Sequence, residues 1–402
     1  MPKSTWTPRS SGPSSSARSS SGSNHDRPEA KPAGDAMSTY AANADAPRQM
    51  RAAVVGEDGS ISSASVPIPV CGPHEVLLRV DACGLCGSDL HARRGGRWAR
   101  GLIPGHEIAG RIESLGESVG KGGDGQALTS GLAVVVEPLE SCSRCRACQA
   151  GRDSICPDLR IAGVHRPGGF AEFVVVPAKR VFAVDPSIDP AIATLVEPLA
   201  VALHALDRAE FRSGERVLVL GGGTIGLLCA FAARTSGASE VVIRARYAHQ
   251  RQLALDLGMA RPHDAALSIS QDGLESRFDL VIETVGGSNE TLIEACQAAN
   301  PGARVVVLGI FDRDPPFDPS LALQKEIGLS WGNCYQTGTM GDPDFARAAR
   351  GLAEHRDSLG PLVTHRATLE GVDEAFDLAG NKAKGVGKLV VLVSDQREER
   401  LR

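Results

Sequence analysis

The stretch Glu215–Leu228, ERVLVLGGGTIGLL, leaves a chain few ways to fold. An apolar strand runs into three consecutive glycines, and a helical apolar pattern follows. Gly221, Gly223 and Gly226 stand at G-x-G-x-x-G spacing between the two. The first glycine permits a tight turn and the second lets a pyrophosphate approach the backbone. The third lets the helix pack closely on its strand. The helix N-terminus, with Thr224 and Ile225 in its first turn, then faces the phosphates. In a chain with 45 glycines the spacing alone is weak, so the context has to decide. SEVVIR, FDLVIETVG and GARVVVLGI follow as buried strands, with HQRQLALDLG and NETLIEACQAAN as helical stretches between them. That alternation predicts a parallel, doubly wound sheet of the Rossmann type with a dinucleotide as ligand.

The second of these strands ends unusually, in VVIRARYAHQR. About 20 residues beyond such a glycine motif an acid ordinarily takes the ribose hydroxyls. Here that position, counted from Gly226, is Arg246. A carboxylate would repel a 2′-phosphate, whereas arginine pairs with one through charge-assisted hydrogen bonds. NADP(H) is therefore expected over NAD(H); the alternative is a solvated positive loop with NAD bound by other contacts. Ala245 leaves room for the extra phosphate, and Arg251 is a second candidate contact. Strand alternation points Arg244 the same way as Arg246, although it lies early for the task.

Ahead of this unit the texture is different. RAAVV, EVLLRVDAC, EIAGRIESLG, LAVVVEP and AEFVVVP are short β-runs broken by glycine and proline. Within them, Cys142, Cys145, Cys148 and Cys156 are spaced C-x2-C-x2-C-x7-C. Four thiolates in one loop suit a closed, tetrahedral structural zinc. A disulfide framework and a zinc-ribbon nucleic-acid module are the competing readings. GLCGSDLH and IPGHEIAG supply a more dispersed set: Cys86, Ser88, Asp89, His91, His106 and Glu107. Cys86 and His106 are good zinc ligands, and a carboxylate completes three while leaving a position for substrate. Ser88 and His91 are placed in sequence to carry a proton to solvent.

GLCGSDLH, GHEIAG, the four-cysteine loop, VEPLAVALHA and VLVLGGGTIGLL, in this order, resemble the zinc-dependent medium-chain dehydrogenase/reductase family. The sorbitol and threonine dehydrogenase-like branch is the nearest. The resemblance runs from Met50 to about Val393 and implies a GroES-like β-rich catalytic domain beside the Rossmann domain, with the active site between them. It implies Cys86, His106 and Glu107 as catalytic zinc ligands, and Glu197 as the acid that holds the zinc or its water. It also implies Ser88 and His91 as the proton relay, Asp89 behind the ligands, and the four-cysteine loop around a structural zinc. The expected activity is hydride transfer between a secondary alcohol or ketone and the nicotinamide. The substrate would be a polyol, sugar derivative or amino alcohol, and the assembly a homodimer or homotetramer. The chain departs from the family pattern where G-D-R-V becomes GLAV, Gly131–Val134. Arg93, Arg94, Arg97 and Arg100 crowd one loop, read as solvated rather than as an anion site.

Composition sets the outer limits. A length of 402 residues suits two domains, and a net charge of −5 offers no footprint for nucleic acid. No apolar run long enough to span a bilayer is expected. Ten cysteines, four clustered, favour metal sites in a reducing compartment, hence a cytoplasmic location. Residues 1–49 are Ser-, Pro- and Arg-rich and read as a disordered tail, with a transit peptide as the second possibility. The catalytic domain is expected over 50–203, the Rossmann domain over 204–333, and a return to the catalytic domain over 334–402.

Overall fold

The apolar runs become the central strands of two sheets. The computed structural model describes residues 48–259, 261–287, 289–336 and 343–394. The tail expected over residues 1–49 lies outside them except for Arg48 and Gln49, and Gln49 already opens the strand Gln49–Val55.

Six parallel strands form the first sheet. Their spatial order is Arg261–Asp264, Glu240–Ala245, Arg216–Leu220, Phe278–Glu283, Ala299–Val307 and Gly328–Trp331. In chain order this is 3-2-1-4-5-6, the doubly wound arrangement whose switch point lies beside the first strand. Leu220 pairs in register with both Arg244 and Glu283, so the strand ends are level where the glycine turn begins. Apolar periodicity indicated four of the six strands and neither edge strand, Arg261–Asp264 or Gly328–Trp331. The two-sided burial of Arg261–Asp264 is incomplete, so RPHD carries no hydrophobic run.

The second sheet runs Val363–Thr368, Lys388–Leu392, Glu75–Gly84, Glu107–Leu115, Ala133–Val136 and Val181–Ala183, with Phe173–Pro177 also paired to Glu75–Gly84. All its pairings are antiparallel except the one between the two C-terminal strands. The GLAV segment keeps its place in this sheet. Gly131 turns at φ +81°, and Ala133–Val136 pairs with Arg111–Ile108.

Two helices tie the sheets together and move the expected boundaries. Val196–Arg208 is continuous, so a division at residue 203/204 falls inside it. Asp344–Leu359 does not belong to the antiparallel sheet alone. Its Phe345 ring lies 5.0 Å from Phe182 of that sheet, while its His355 packs edge-on against Phe231 of the glycine-turn helix. The chain rejoins the antiparallel sheet only at Val363. The 19-residue stretch Pro190–Arg208 is, by length and composition, apolar enough to cross a membrane, against the sequence expectation. Most of it is buried inside the fold, where Leu195, Leu199, Ala202 and Leu206 join the largest apolar core.

The glycine turn has little tolerance. Gly221 takes φ +112°, and a Cβ on Gly226 would sit 1.9 Å from the Gly221 carbonyl oxygen. A Cβ on Gly223 would meet nothing within 4 Å. Gly226→Ala is therefore expected to cost about 1–3 kcal/mol through forced backbone movement, while Gly223→Ala costs under about 1 kcal/mol as an N-cap change. Urea unfolding midpoints of the two variants against the parent measure the difference.

Candidate active site and metal centres

Antiparallel pairing assembles the first cluster. Gly84 pairs with Glu107, so Cys86, two residues beyond one strand, comes beside His106, one residue ahead of the other. Cys86 caps helix Gly87–Arg94, and its N–H donates to Asp89 Oδ2 at 3.0 Å. Asp89 Oδ1 lies 3.4 Å from His106 Nδ1, and Asp89 is 1% exposed. One buried carboxylate thus accepts from the cysteine backbone and stands behind the histidine ring at ion-pair distance, the position of the usual support behind a metal-binding imidazole.

The ligand atoms of Cys86, His106 and Glu107 all lie within 4.8 Å of one another. Burial alone would push the His106 imidazole down, but Asp89 and Cys86 outweigh it and raise it well above its ordinary value. The cluster therefore favours a positive charge at its centre. Glu107 Oε1 is buried with no hydrogen-bond partner among the described residues. That arrangement costs about 1–3 kcal/mol unless a cation meets it. Soft, borderline and hard donors converging in this way fit Zn²⁺. Glu197 stands outside the three-residue group, buried in the first turn of Val196–Arg208. Burial pushes its carboxyl up to about 7; His106 opposes the shift, Glu107 adds to it, and Lys388 and the Tyr335 hydroxyl oppose it.

Two residues that sequence reasoning missed complete this corner. Lys388, 2% exposed, forms an ion pair with Glu107 Oε2 and donates to the Leu85 carbonyl at 3.0 Å. Gly84 makes the room, since a Cβ there would fall 1.9 Å from Glu107 Oε2 and 2.9 Å from Lys388 Cε. The available signal was a lone charge entering the otherwise apolar run KLVVLV.

The four-cysteine loop forms a second cluster. Its sulfurs also lie within 4.8 Å of one another, with contacts of 3.4 Å for Cys145–Cys148 and 3.9 Å for both Cys142–Cys148 and Cys145–Cys156. Sulfurs about 2.3 Å from a tetrahedral centre are about 3.8 Å apart. Backbone N–H groups of Arg144 and Cys145 lower the Cys142 thiol to about 6, favouring the thiolate. None of the ten cysteines is in a disulfide. The geometry fits a closed zinc site.

Ser88 Oγ stands 3.5 Å from His106 Nε2, at the edge of the first cluster. His91, one helical turn further along, is directed to Asp312, with Nδ1 3.2 Å from Oδ1.

The comparisons with known proteins agree with this arrangement. Residues 72–186 match the alcohol dehydrogenase GroES-like domain, and residues 224–349 match the zinc-binding dehydrogenase domain. L-galactonate-5-dehydrogenase of Escherichia coli (strain K12) is 32% identical over 319 residues, covering 77% of this chain and 89% of that protein. L-threonine 3-dehydrogenase of Anaeromyxobacter dehalogenans (strain 2CP-C) is 31% identical, covering 82% and 94%. The crystal structure of a zinc-binding dehydrogenase from Sinorhizobium meliloti 1021, bound to NADP, superposes with a TM-score of 0.75 at 31% identity, covering 86% and 99%. The chain belongs to the zinc-dependent medium-chain alcohol dehydrogenase family. It is a zinc-dependent enzyme of the alcohol dehydrogenase type.

The glycine turn lies at the switch point of the parallel sheet, where a cofactor site is a candidate. Gly223 is exposed at the start of helix Thr224–Thr235, and Ile225 is half-buried behind it. Thr224 Oγ1 donates to the Gly387 carbonyl at 3.2 Å, which ties the turn to the returning chain. The two arginines of the second strand separate completely. Arg244 is 1% exposed and bonds Asp272 at 3.2 Å, Glu294 at 3.0 Å and the Leu267 carbonyl. Alternation does not place it beside Arg246, because the strand ends at Ala245 and the chain bends there. Arg246 is exposed, and its guanidinium has no partner among the described residues. Arg251 braces the bend, donating to the carbonyls of Ala245 at 2.9 Å and Arg246 at 3.1 Å and pairing with Asp264 at 3.2 Å. Ala245 is buried at 1% exposure, and a Cβ on Gly222 would approach its Cβ to 2.5 Å. Its small size therefore makes room for the glycine turn rather than for a phosphate.

The arginine-rich loop is partly committed to structure. Arg93 pairs with Asp373 and Asp377 over the Phe376 ring, and Arg100 pairs with Glu57. Arg94 and Arg97 are exposed.

Removing a buried cation that holds two acids leaves them uncompensated. Arg244→Ala is expected to cost about 3 kcal/mol or more in stability. Guanidinium unfolding followed by circular dichroism reads that cost; a loss under about 1 kcal/mol would mean that the pairs are not formed.

Proposed function

We propose that this chain is an NADP(H)-dependent dehydrogenase of secondary hydroxyls in small polar molecules: polyols, sugar derivatives or amino alcohols. Arg246 carries the cofactor reading. It is the exposed, unpartnered cation at the end of the second parallel strand, where Arg244 and Arg251 are already engaged. The NADP of the Sinorhizobium meliloti relative supports the same choice. The names of the relatives support the substrate class, since position 5 of L-galactonate and position 3 of L-threonine are both secondary hydroxyls.

In this reading Cys86, His106 and Glu107 hold the catalytic zinc with Glu197 as the further acid, and Cys142, Cys145, Cys148 and Cys156 hold the structural one. When bound, zinc supplies Lewis-acid polarisation of the substrate oxygen and the nicotinamide takes or gives the hydride. The residues of the chain do the rest. Asp89 stands behind the His106 ring, and Lys388 pairs with the Glu107 carboxylate in its buried position. Ser88 takes the substrate hydroxyl proton and His91 passes it to solvent. The glycine turn holds the pyrophosphate, and Arg246 pairs with the 2′-phosphate. The family habit of dimers or tetramers is proposed for the assembly.

A panel of L-threonine, L-galactonate, sorbitol and 2-butanol, run with both cofactors in parallel, is the direct test. NADP is expected to give the higher kcat/KM, and Arg246→Asp to move the ratio toward NAD at least about tenfold, the size of one lost charge-assisted contact. A parent enzyme that prefers NAD would sink the arginine argument. Metal analysis of the purified protein is expected to give two zinc ions per chain, one for each donor cluster. A single ion would remove the catalytic zinc from this account.

A further inference from the structure

His91 has a partner on the other half of the molecule. It lies on helix Gly87–Arg94, which follows a strand of the antiparallel sheet. Its Nδ1 is 3.2 Å from Oδ1 of Asp312, which lies 221 positions along the chain, on the loop that follows the parallel strand Ala299–Val307. The His91 side chain is 20% exposed and that of Asp312 is 49% exposed. A pair this open adds little to stability. Its value has to lie elsewhere.

The loop that carries Asp312 is firmly mounted. The Asp312 N–H donates to the Gly287 carbonyl at 3.2 Å, and the Gly287 N–H donates back to Ile310 at 2.7 Å. Beneath them the fully buried Glu283 carboxylate accepts from the N–H groups of Val285 and Gly286 and from the Thr291 hydroxyl, all within 2.9 Å. Gly309 leaves room for that carboxylate, since a Cβ there would fall 2.3 Å from Glu283 Oε2. The other charged groups on the two facing elements are Asp89, Arg93 and Arg94 on the helix, and Arg313 and Asp314 on the loop. Asp89 is occupied with Cys86 and His106, and Arg93 with Asp373 and Asp377.

We propose that Asp312 is a positioning residue for proton release: it accepts the Nδ1–H of His91 and thereby orients the ring with Nε2 as the free acceptor. A carboxylate on one imidazole nitrogen selects the tautomer and leaves the other nitrogen with its lone pair. During alcohol oxidation the substrate proton goes to Ser88 Oγ as the Ser88 proton moves to His91 Nε2. Asp312 stabilises the resulting imidazolium and takes no proton itself, as in other Asp–His pairs. His91 then returns to its neutral form by losing that proton to water, and the hydride leaves separately with the nicotinamide. The proposal rests on the reading of His91 as the proton carrier, and it ties that carrier to contact between the two sheets.

The test uses the zinc-loaded enzyme, saturating cofactor and the fastest alcohol of the panel, over a range of about pH 6 to 10. Asp312→Asn is expected to lower kcat about tenfold near pH 7, within the range of acid–base contributions, and to recover toward about pH 10 as hydroxide takes the proton directly. KM for the cofactor should stay within about twofold of the parent, and Asp312→Glu should restore most of the rate. His91→Gln should show the same loss at low pH. In nitrogen-15 histidine spectra, Asp312→Asn should also move the ring signals of one histidine away from the Nδ1–H tautomer. If His91→Gln loses rate but Asp312→Asn matches the parent at every pH, the carrier stands and the positioning role falls. If His91→Gln matches the parent, the carrier reading falls and the proposal falls with it. A uniform loss for Asp312→Asn across the pH range would mark a merely structural role and overturn the proposal.

Discussion

The pairing of Gly84 with Glu107 is the contact on which the rest of the site depends. It sets Cys86 beside His106, because each lies within two residues of the paired positions on adjacent strands. It also brings a carboxylate into a place where water does not reach, since Glu107 is fully buried. An unpaired charge there would be prohibitive, and Lys388 from the C-terminal strand answers it. The absent side chain at Gly84 is what allows the two charged groups to meet. This corner therefore draws on three strands, one of them from the C-terminal return of the chain.

The same rule governs the other buried polar groups. Arg180 pairs with Glu137 at 2.7 Å and faces Asp153 at 3.5 Å, in contact with the base of the four-cysteine loop. His204 and Asp344 meet at 3.0 Å where the two long helices cross. Arg244 gathers Asp272 and Glu294 beneath the parallel sheet. Among the described residues the buried Arg180, Arg244 and Lys388 each have an acid partner on another element. Arg246, by contrast, is exposed at the end of the second parallel strand, and no acid among the described residues pairs with it.

Much of the site was legible because its residues come in short, closely spaced motifs. GLCGSDLH and GHEIAG carry the first donor set, and the four cysteines fall within 15 residues. Local spacing suffices when a single loop or a single strand pair makes the cluster. Legibility failed where the partner is remote. Lys388 lies 281 positions from Glu107, Tyr335 138 from Glu197 and Asp312 221 from His91. No periodicity links such pairs. It failed also at the end of the second strand, where alternation was extended one residue past the point at which the strand bends. The domain boundary suffered similarly, because a helix shared by two cores has no break in composition to mark it.

By itself, the amino-acid order determined the two textures, the glycine turn, both donor sets and the family. These are local properties, set by side-chain chemistry and by periods of two and 3.6 residues. The tertiary structure decided which arginine is free, which lysine balances Glu107 and which acid meets His91. Those outcomes depend on burial and on contacts between distant segments. A charge in the sequence acquires its role only when folding settles whether water or another charge stands beside it.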